Sequence, residues 1–359
     1  MGDEMTKREN LLAVLAKKPY KEVPIDFGLS PGLVEVYKQK TGSNLDYMDY
    51  FGMPWRPSHV PAPINDVKSF SNYYPYSLKP GTHIDMWGVA HEPGSAAALH
   101  MTRMHHPLKN IDSVAALDEY PFPIFNEPDA AIIKDSAEKL HAQGLASVGY
   151  LQMTIWETAW AIRSMEELIA DIMDKSPMAE KLLDIITDIA VTRAKMYVLG
   201  GVDILYLGDD IGMQHTPMMS METYTTWLKP RLCKVINAAR TINPNVIIFY
   251  HSCGMIHPFI PHLIDAGIDV LHPVQPECMD FEEIYKEYSD NLSFCGTIGT
   301  QTTFPKGTPE EMRATVFRNL DIANGGRGLL ISPTHLVEPD VPWENVIAYV
   351  NACKEYKHE

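Results

Sequence analysis

The sequence predicts an α/β protein, a (β/α)8 TIM barrel with an N-terminal helical cap or insertion. From about residue 145 short apolar runs alternate with helical patterns, the links between them are short, and polar side chains collect where the apolar runs end. Strand, helix, strand with short links implies parallel pairing, because each crossover helix returns the chain to the same end of the sheet. No glycine-rich turn of the dinucleotide or phosphate-binding kind follows an early strand, which favours a barrel over an open doubly wound sheet. The 359 residues read as one domain, 1–359, in which about 30–140 is the cap or insertion: it is rich in aromatics and prolines and breaks the α/β rhythm.

"VPIDFG" at 23–28 is expected as the first strand, and "HIDMWGV" at 83–89 as the one that completes eight. "ASVGYLQM" comes next as a strand, then two helices. In the second of them Ser176 is an N-cap, Pro177 takes the first helical position, Leu182, Ile185, Ile186 and Ile189 make a stripe, and Gly200 and Gly201 end it. "VDILYLGDD" is a strand, and a helix spans about 220–242. The strands "NVIIFYHSCG", "IDVLHPVQP" and "NLSFCGTIGT" come after it, separated by helices. Thr308, Pro309 and Glu311 start a further helix as a capping box. The strand "GLLISPTH" and a closing helix from Pro342 end the chain.

Charge and composition remove several function classes. A formal net charge of -16, spread along the chain, repels phosphate backbones and anionic lipid heads, so nucleic acid and membrane are excluded as partners. No apolar stretch approaches the ~20 residues of a membrane span, and the start lacks the basic-then-apolar layout of a signal peptide. Five widely spaced cysteines fit reduced thiols in the cytoplasm.

In a parallel barrel the active site lies at the carboxyl ends of the strands, so the polar residues just past each strand are the candidates. They are Trp156 and Glu157, the pair Asp209 and Asp210, His251 and Cys253, His272 and Gln275, Thr300 and Gln301, and His335. Neighbouring side chains leaving a strand point to opposite sides, so one of Asp209 and Asp210 at most faces the site. A His-x-Cys pair at a strand end can turn both side chains toward a metal, with Gly254 permitting the bend. The plainer alternative is a turn carrying a buried cysteine and a hydrogen-bonded histidine. His335, at the mouth of the same barrel, would join His251 and Cys253 and leave one position of a tetrahedral zinc open.

"RENLLAVLAKKPYKEVPIDFG", "YHSCG" and "GGRGLLISPTHLVEPDVPWENV" together resemble the uroporphyrinogen decarboxylase superfamily, and within it the branch of cobalamin-dependent methyltransferases. The resemblance implies a (β/α)8 barrel with zinc at its mouth, held by His251, Cys253 and the residue at 335. The thiol methyltransferases of that branch usually carry cysteine at the third position, and here it is histidine. The decarboxylases carry histidine there but lack His-x-Cys-Gly. Their arginine-rich N-terminal motif is not found here either, which argues against porphyrinogen decarboxylation.

Two thiolates and one imidazole make a neutral zinc site suited to a thiol, whereas one thiolate and two imidazoles leave +1, a stronger Lewis acid toward oxygen. With His335 as ligand, the expected reaction is removal of a methyl group from an O-methyl donor, such as a methoxylated aromatic, by cobalt(I) of a corrinoid. Glu157 or Asp210 would act as the acid. Tyr150, Trp156, Trp160, His272 and Gln275 are the candidate substrate-binding residues. The chain has no Asp-x-His-x-x-Gly motif for a corrinoid, which would therefore ride on a separate corrinoid protein docking over the barrel mouth. The alternatives are transfer from methylcobalamin to a thiol, and a decarboxylase-like or non-catalytic barrel. A homodimer is left open.

Overall fold

The computed structural model describes residues 5–65, 67–94 and 102–357. Seven strands form one parallel sheet in the order β1 (Trp55–Pro57), β5 (Ala146–Gln152), β6 (Ile204–Gly208), β7 (Ile247–His251), β8 (Val270–His272), β9 (Ser293–Cys295) and β10 (Leu329–Leu330). A separate antiparallel sheet holds β2 (His83–Ile84), β3 (Ala90–Glu92) and β4 (Arg103–His105). Helices connect each strand of the large sheet to the next, so every pairing is parallel and between sequence neighbours. This is the curled α/β barrel expected from the alternating pattern.

The early strands differ from expectation. The run 83–89 is a hairpin, not a barrel strand: the Asp85 carboxylate accepts the N–H groups of Trp87 and Val89 at 2.8 and 3.0 Å, folding the chain back onto β3. The sheet position belongs instead to Trp55–Pro57, a strand of 3 residues that Pro57 ends, too short to leave a periodic signal. "VPIDFG" forms no strand and joins no ladder. Its backbone groups are satisfied elsewhere: the Asp26 N–H meets the Tyr349 hydroxyl at 3.3 Å, and the Gly28 carbonyl accepts from Val337 N at 2.8 Å. Since Val337 follows β10 and Trp55 Nε1 donates to Asp26 Oδ1 at 2.6 Å, this segment bridges the gap between the last and first strands.

Strand register stacks the barrel interior in layers. Tyr150, Tyr206, Phe249 and Val270 align across β5 to β8, and Gln152, Gly208, His251 and His272 form the next layer toward the carboxyl ends. The Tyr150, Tyr206 and Phe249 rings stack with centroids 4.7 and 4.5 Å apart. Below them lie Val148, Ile204 and Leu330, and the N-terminal helix Lys7–Leu15 closes the floor with Leu11 and Leu15. That helix starts at a capping box of Thr6 and Glu9.

The two expected caps are present, Ser176 accepting from Met178 N and Thr308 pairing with Glu311. The helix expected over 220–242 begins at Met221 and contains a π-turn, Tyr224–Leu228, before Lys229–Ile242. The π-turn sits just ahead of Pro230, whose ring has no N–H for the i→i−4 ladder. No helix among the described residues is long and apolar enough to cross a membrane.

Candidate active site and metal centre

At the carboxyl ends of β6 and β7 the chain brings Asp210, His251 and Cys253 together, with one ligand atom of each within 4.8 Å of the others. Glycines make this approach possible. A Cβ on Gly208 would lie 2.7 Å from His251 Cβ, and one on Gly254, which has φ +88°, would lie 2.7 Å from the Gly212 carbonyl carbon. The loops after β6 and β7 therefore touch backbone to backbone. Gln275 holds the second of them, its Oε1 accepting from Gly254 N at 3.1 Å.

Asp209 and Asp210 divide as alternation requires. Asp209 is buried and accepts the N–H groups of Ile155 and Glu157, at 3.0 and 2.9 Å, at the start of the helix Trp156–Arg163. Asp210 turns the other way: its Oδ1 accepts from Cys253 N at 2.8 Å and lies 3.5 Å from His251 Nε2. Cys253 Sγ is also 3.5 Å from His251 Nε2. For bonds of 2.0 to 2.3 Å, ligand atoms of a tetrahedral zinc stand about 3.5 Å apart, so the imidazole is at coordinating spacing from both carboxylate and thiol, which lie within 4.8 Å of each other.

Behind His251, its Nδ1 lies 2.7 Å from His272 Nδ1, and the Tyr206 hydroxyl is within 3.3 and 3.2 Å of the two nitrogens. A proton on His251 Nδ1 shared with this network leaves Nε2 unprotonated, with its lone pair toward Cys253 and Asp210. Burial pushes His251 down to about 4, against the pull of Asp210. Burial also raises the Cys253 thiol, with the Asp210 and Glu157 carboxylates adding to the rise. A neutral imidazole and a neutral thiol beside an acid form a donor set that a divalent cation would complete.

Glu157 is pushed up to about 9 by burial and then by Asp209 and Asp210, so it is protonated at neutral pH, and its Oε2 is buried with no hydrogen-bond partner. Burial raises Asp209 to about 7 despite its helix N–H donors.

The other expected residues fall in different places. His335 is exposed and lines the cavity shared with His251 and His272, outside the cluster of Asp210, His251 and Cys253. Tyr150 lines the same cavity. Trp156 is buried in the core at 2% exposure and Trp160 packs against that core, while Gln275 is buried behind the Cys253 turn. Two further residues of the site lie outside the sequence expectation. Tyr206 was legible as an inward position of "ILYLG"; Asp26 was not, because no strand period marks its segment.

The model of the family described as uroporphyrinogen decarboxylase (URO-D) matches residues 101–356. The chain belongs to the uroporphyrinogen decarboxylase family. A methylcobamide:CoM methyltransferase of Methanosarcina barkeri is 25% identical over 371 aligned residues, covering 98% of this chain and 99% of its own. A methylated-thiol–coenzyme M methyltransferase of Methanosarcina mazei is 28% identical over 189 residues, 49% of this chain and 44% of its own. A solved methyltransferase from Methanosarcina mazei superposes with a TM-score of 0.67 at 20% identity, covering 98% and 99% of the two chains, which is a likeness of fold. Within the family this chain sits in the corrinoid-dependent methyltransferase branch, as its His-x-Cys-Gly and closing segments suggested.

Proposed function

We propose that this protein transfers a methyl group between the cobalt of a separate corrinoid protein and a small thiol, using zinc held by Asp210, His251 and Cys253. The observation that carries the reading is the spacing of those three donors at the barrel mouth. An Asp210 carboxylate, a Cys253 thiolate and a neutral His251 bring two negative charges, matching a divalent ion and leaving a neutral centre. Zinc held there would supply the Lewis acidity that lowers the pKa of a substrate thiol. Relatives named for methylcobamide, coenzyme M and methylated thiols support the same choice. The O-methyl alternative depends on His335 as third ligand and a centre of +1; with Asp210 in that place the charge argument turns toward sulfur.

In the forward direction the cobalt–carbon bond breaks with both electrons left on cobalt, the sulfur–carbon bond forms, and the thiol proton leaves. The chain's own residues prepare that transfer. Tyr206 and His272 hold the His251 ring and its tautomer. Asp210 fixes the Cys253 backbone. Asp209 ties the start of the helix Trp156–Arg163 to the end of β7, since its own N–H donates to the His251 carbonyl at 3.0 Å. Glu157, neutral at pH 7, adds no third negative charge beside the two aspartates. The corrinoid protein would dock over the open end of the barrel, with the described part of the aromatic-rich stretch 30–140 as its docking surface.

The test incubates zinc-loaded protein anaerobically with methylcobalamin and small thiols of each charge type. Methylcobalamin absorbance should decay with formation of an equal amount of methyl thioether. The reading fails if every thiol is inert while cobalt(I) with a methoxylated aromatic yields methylcobalt.

A further inference from the structure

The cavity that meets the metal-competent cluster at His251 has a volume of about 300 Å³, enough for a small organic molecule. Its walls are aromatic, with Trp55, Tyr150, Tyr206 and Phe249 among them, and its one carboxylate among the described residues is Asp26. Among the described residues no lysine or arginine lines it.

Asp26 makes no ion pair among the described residues. Its Oδ1 accepts from Trp55 Nε1 at 2.6 Å. Arg56, whose charge reaches it, is bound to Asp49 and to the carbonyls of Met53 and Trp55, and does not line the cavity. Of the three lining histidines, His251 and His272 are hydrogen-bonded to each other, and His335 stands at the exposed rim. A carboxylate without a counter-charge, set among ring faces, is the chemistry that recognises an organic cation: the ring quadrupoles attract it and the carboxylate neutralises it. An anionic group entering the same space would be desolvated against Asp26 with no fixed cation to meet it. The net charge of -16 also draws cations toward the protein and repels anions.

We propose that the thiol accepted in this cavity is cationic, an aminothiol or a thiol bearing a quaternary ammonium group, with Asp26 as its counter-charge. The inference rests on the thiol reading above. It separates this chain from the relatives named for coenzyme M, an anionic sulfonate thiol.

The experiment compares cysteamine (the aminothiol), mercaptoethanol and mercaptoethanesulfonate as acceptors of methyl from methylcobalamin on the zinc-loaded full chain. Cysteamine should show a KM at least about tenfold below that for the sulfonate, and Asp26→Asn should erase the difference. Calorimetry supplies a readout without methyl transfer: tetramethylammonium should displace cysteamine from the parent protein and ethanesulfonate should not. The calorimetric arm also holds if Asp26→Asn fails to fold. A sulfonate KM equal to or below that for cysteamine, or ethanesulfonate as the better competitor, overturns the proposal. If no thiol accepts a methyl group while calorimetry still shows the cation preference, the thiol-transfer reading falls and the cation site stands.

Discussion

On the proposed zinc site, replacing Asp210 should abolish tight metal binding, whereas replacing His335 should not. Asp210 Oδ1 lies 3.5 Å from His251 Nε2 and takes the Cys253 N–H at 2.8 Å, so Asp210→Ala removes one donor, one negative charge and the bond that orients the neighbouring donor's backbone. Outer partners of metal ligands are by themselves worth about 10- to 100-fold in affinity. A direct donor that also plays the outer role should reach the upper end, a loss of about 100-fold or near 2.7 kcal/mol. Its side chain is 37% exposed, so water can refill the position, which keeps the expectation close to that figure. Competition against a chromophoric zinc chelator measures it for the parent, Asp210→Ala, Asp210→Asn and His335→Ala. Asp210→Asn keeps an oxygen donor and should fall between the parent and the alanine variant. Parent-like affinity in Asp210→Ala with a large loss in His335→Ala would refute the assignment and restore the +1 centre that favours oxygen.

Gly208→Ala would set a Cβ 2.7 Å from both the Cβ and the carbonyl oxygen of His251; we expect a loss of about 1–3 kcal/mol in urea unfolding together with weaker zinc binding, and an unchanged midpoint would contradict the packing described. Burial raises Asp26 from 3.8 to about 6, so between those values the folded state keeps a proton that the unfolded chain has lost, and stability falls as pH rises through that window. About 2 units at 1.36 kcal/mol each make about 3 kcal/mol, so Asp26→Asn should be more stable than the parent by up to that amount at pH 8 and by little near pH 4; an equal gap at both pH values would rule out titration as the cause. Thr308→Ala removes the capping box of the helix Pro309–Ile322 and should lower stability by about 1 kcal/mol, read as a shifted thermal midpoint with zinc affinity unchanged.

The strands from β5 to β10 were legible because each is an apolar run between helical patterns, and that run of βα units is enough to imply a barrel. The early strands were not, for a physical reason: Trp55–Pro57 is fixed by parallel pairing with β5, and the 23–29 segment by Trp55, Val337 and Tyr349, all distant in sequence. Neither leaves a local periodicity. The run at 83–89 misled in the opposite sense: it was expected as a strand, but the Asp85 side chain folds it back as a turn.

The site divides along the same line. His251 and Cys253 stood out because a polar break at the end of an apolar strand is a local signal. The two aspartates were equally local, and alternation foretold that they would part. Which of them would face inward was set by something no local pattern carries, the three backbone N–H groups at the start of the helix after β5. Those donors occupy Asp209 and leave Asp210 turned to His251 and Cys253. The consequence is chemical, since in the proposed zinc site an aspartate in place of a second imidazole would change the charge of the centre from +1 to zero. The proposed preference for sulfur over oxygen as the partner of the methyl group thus rests on a helix cap on the neighbouring residue.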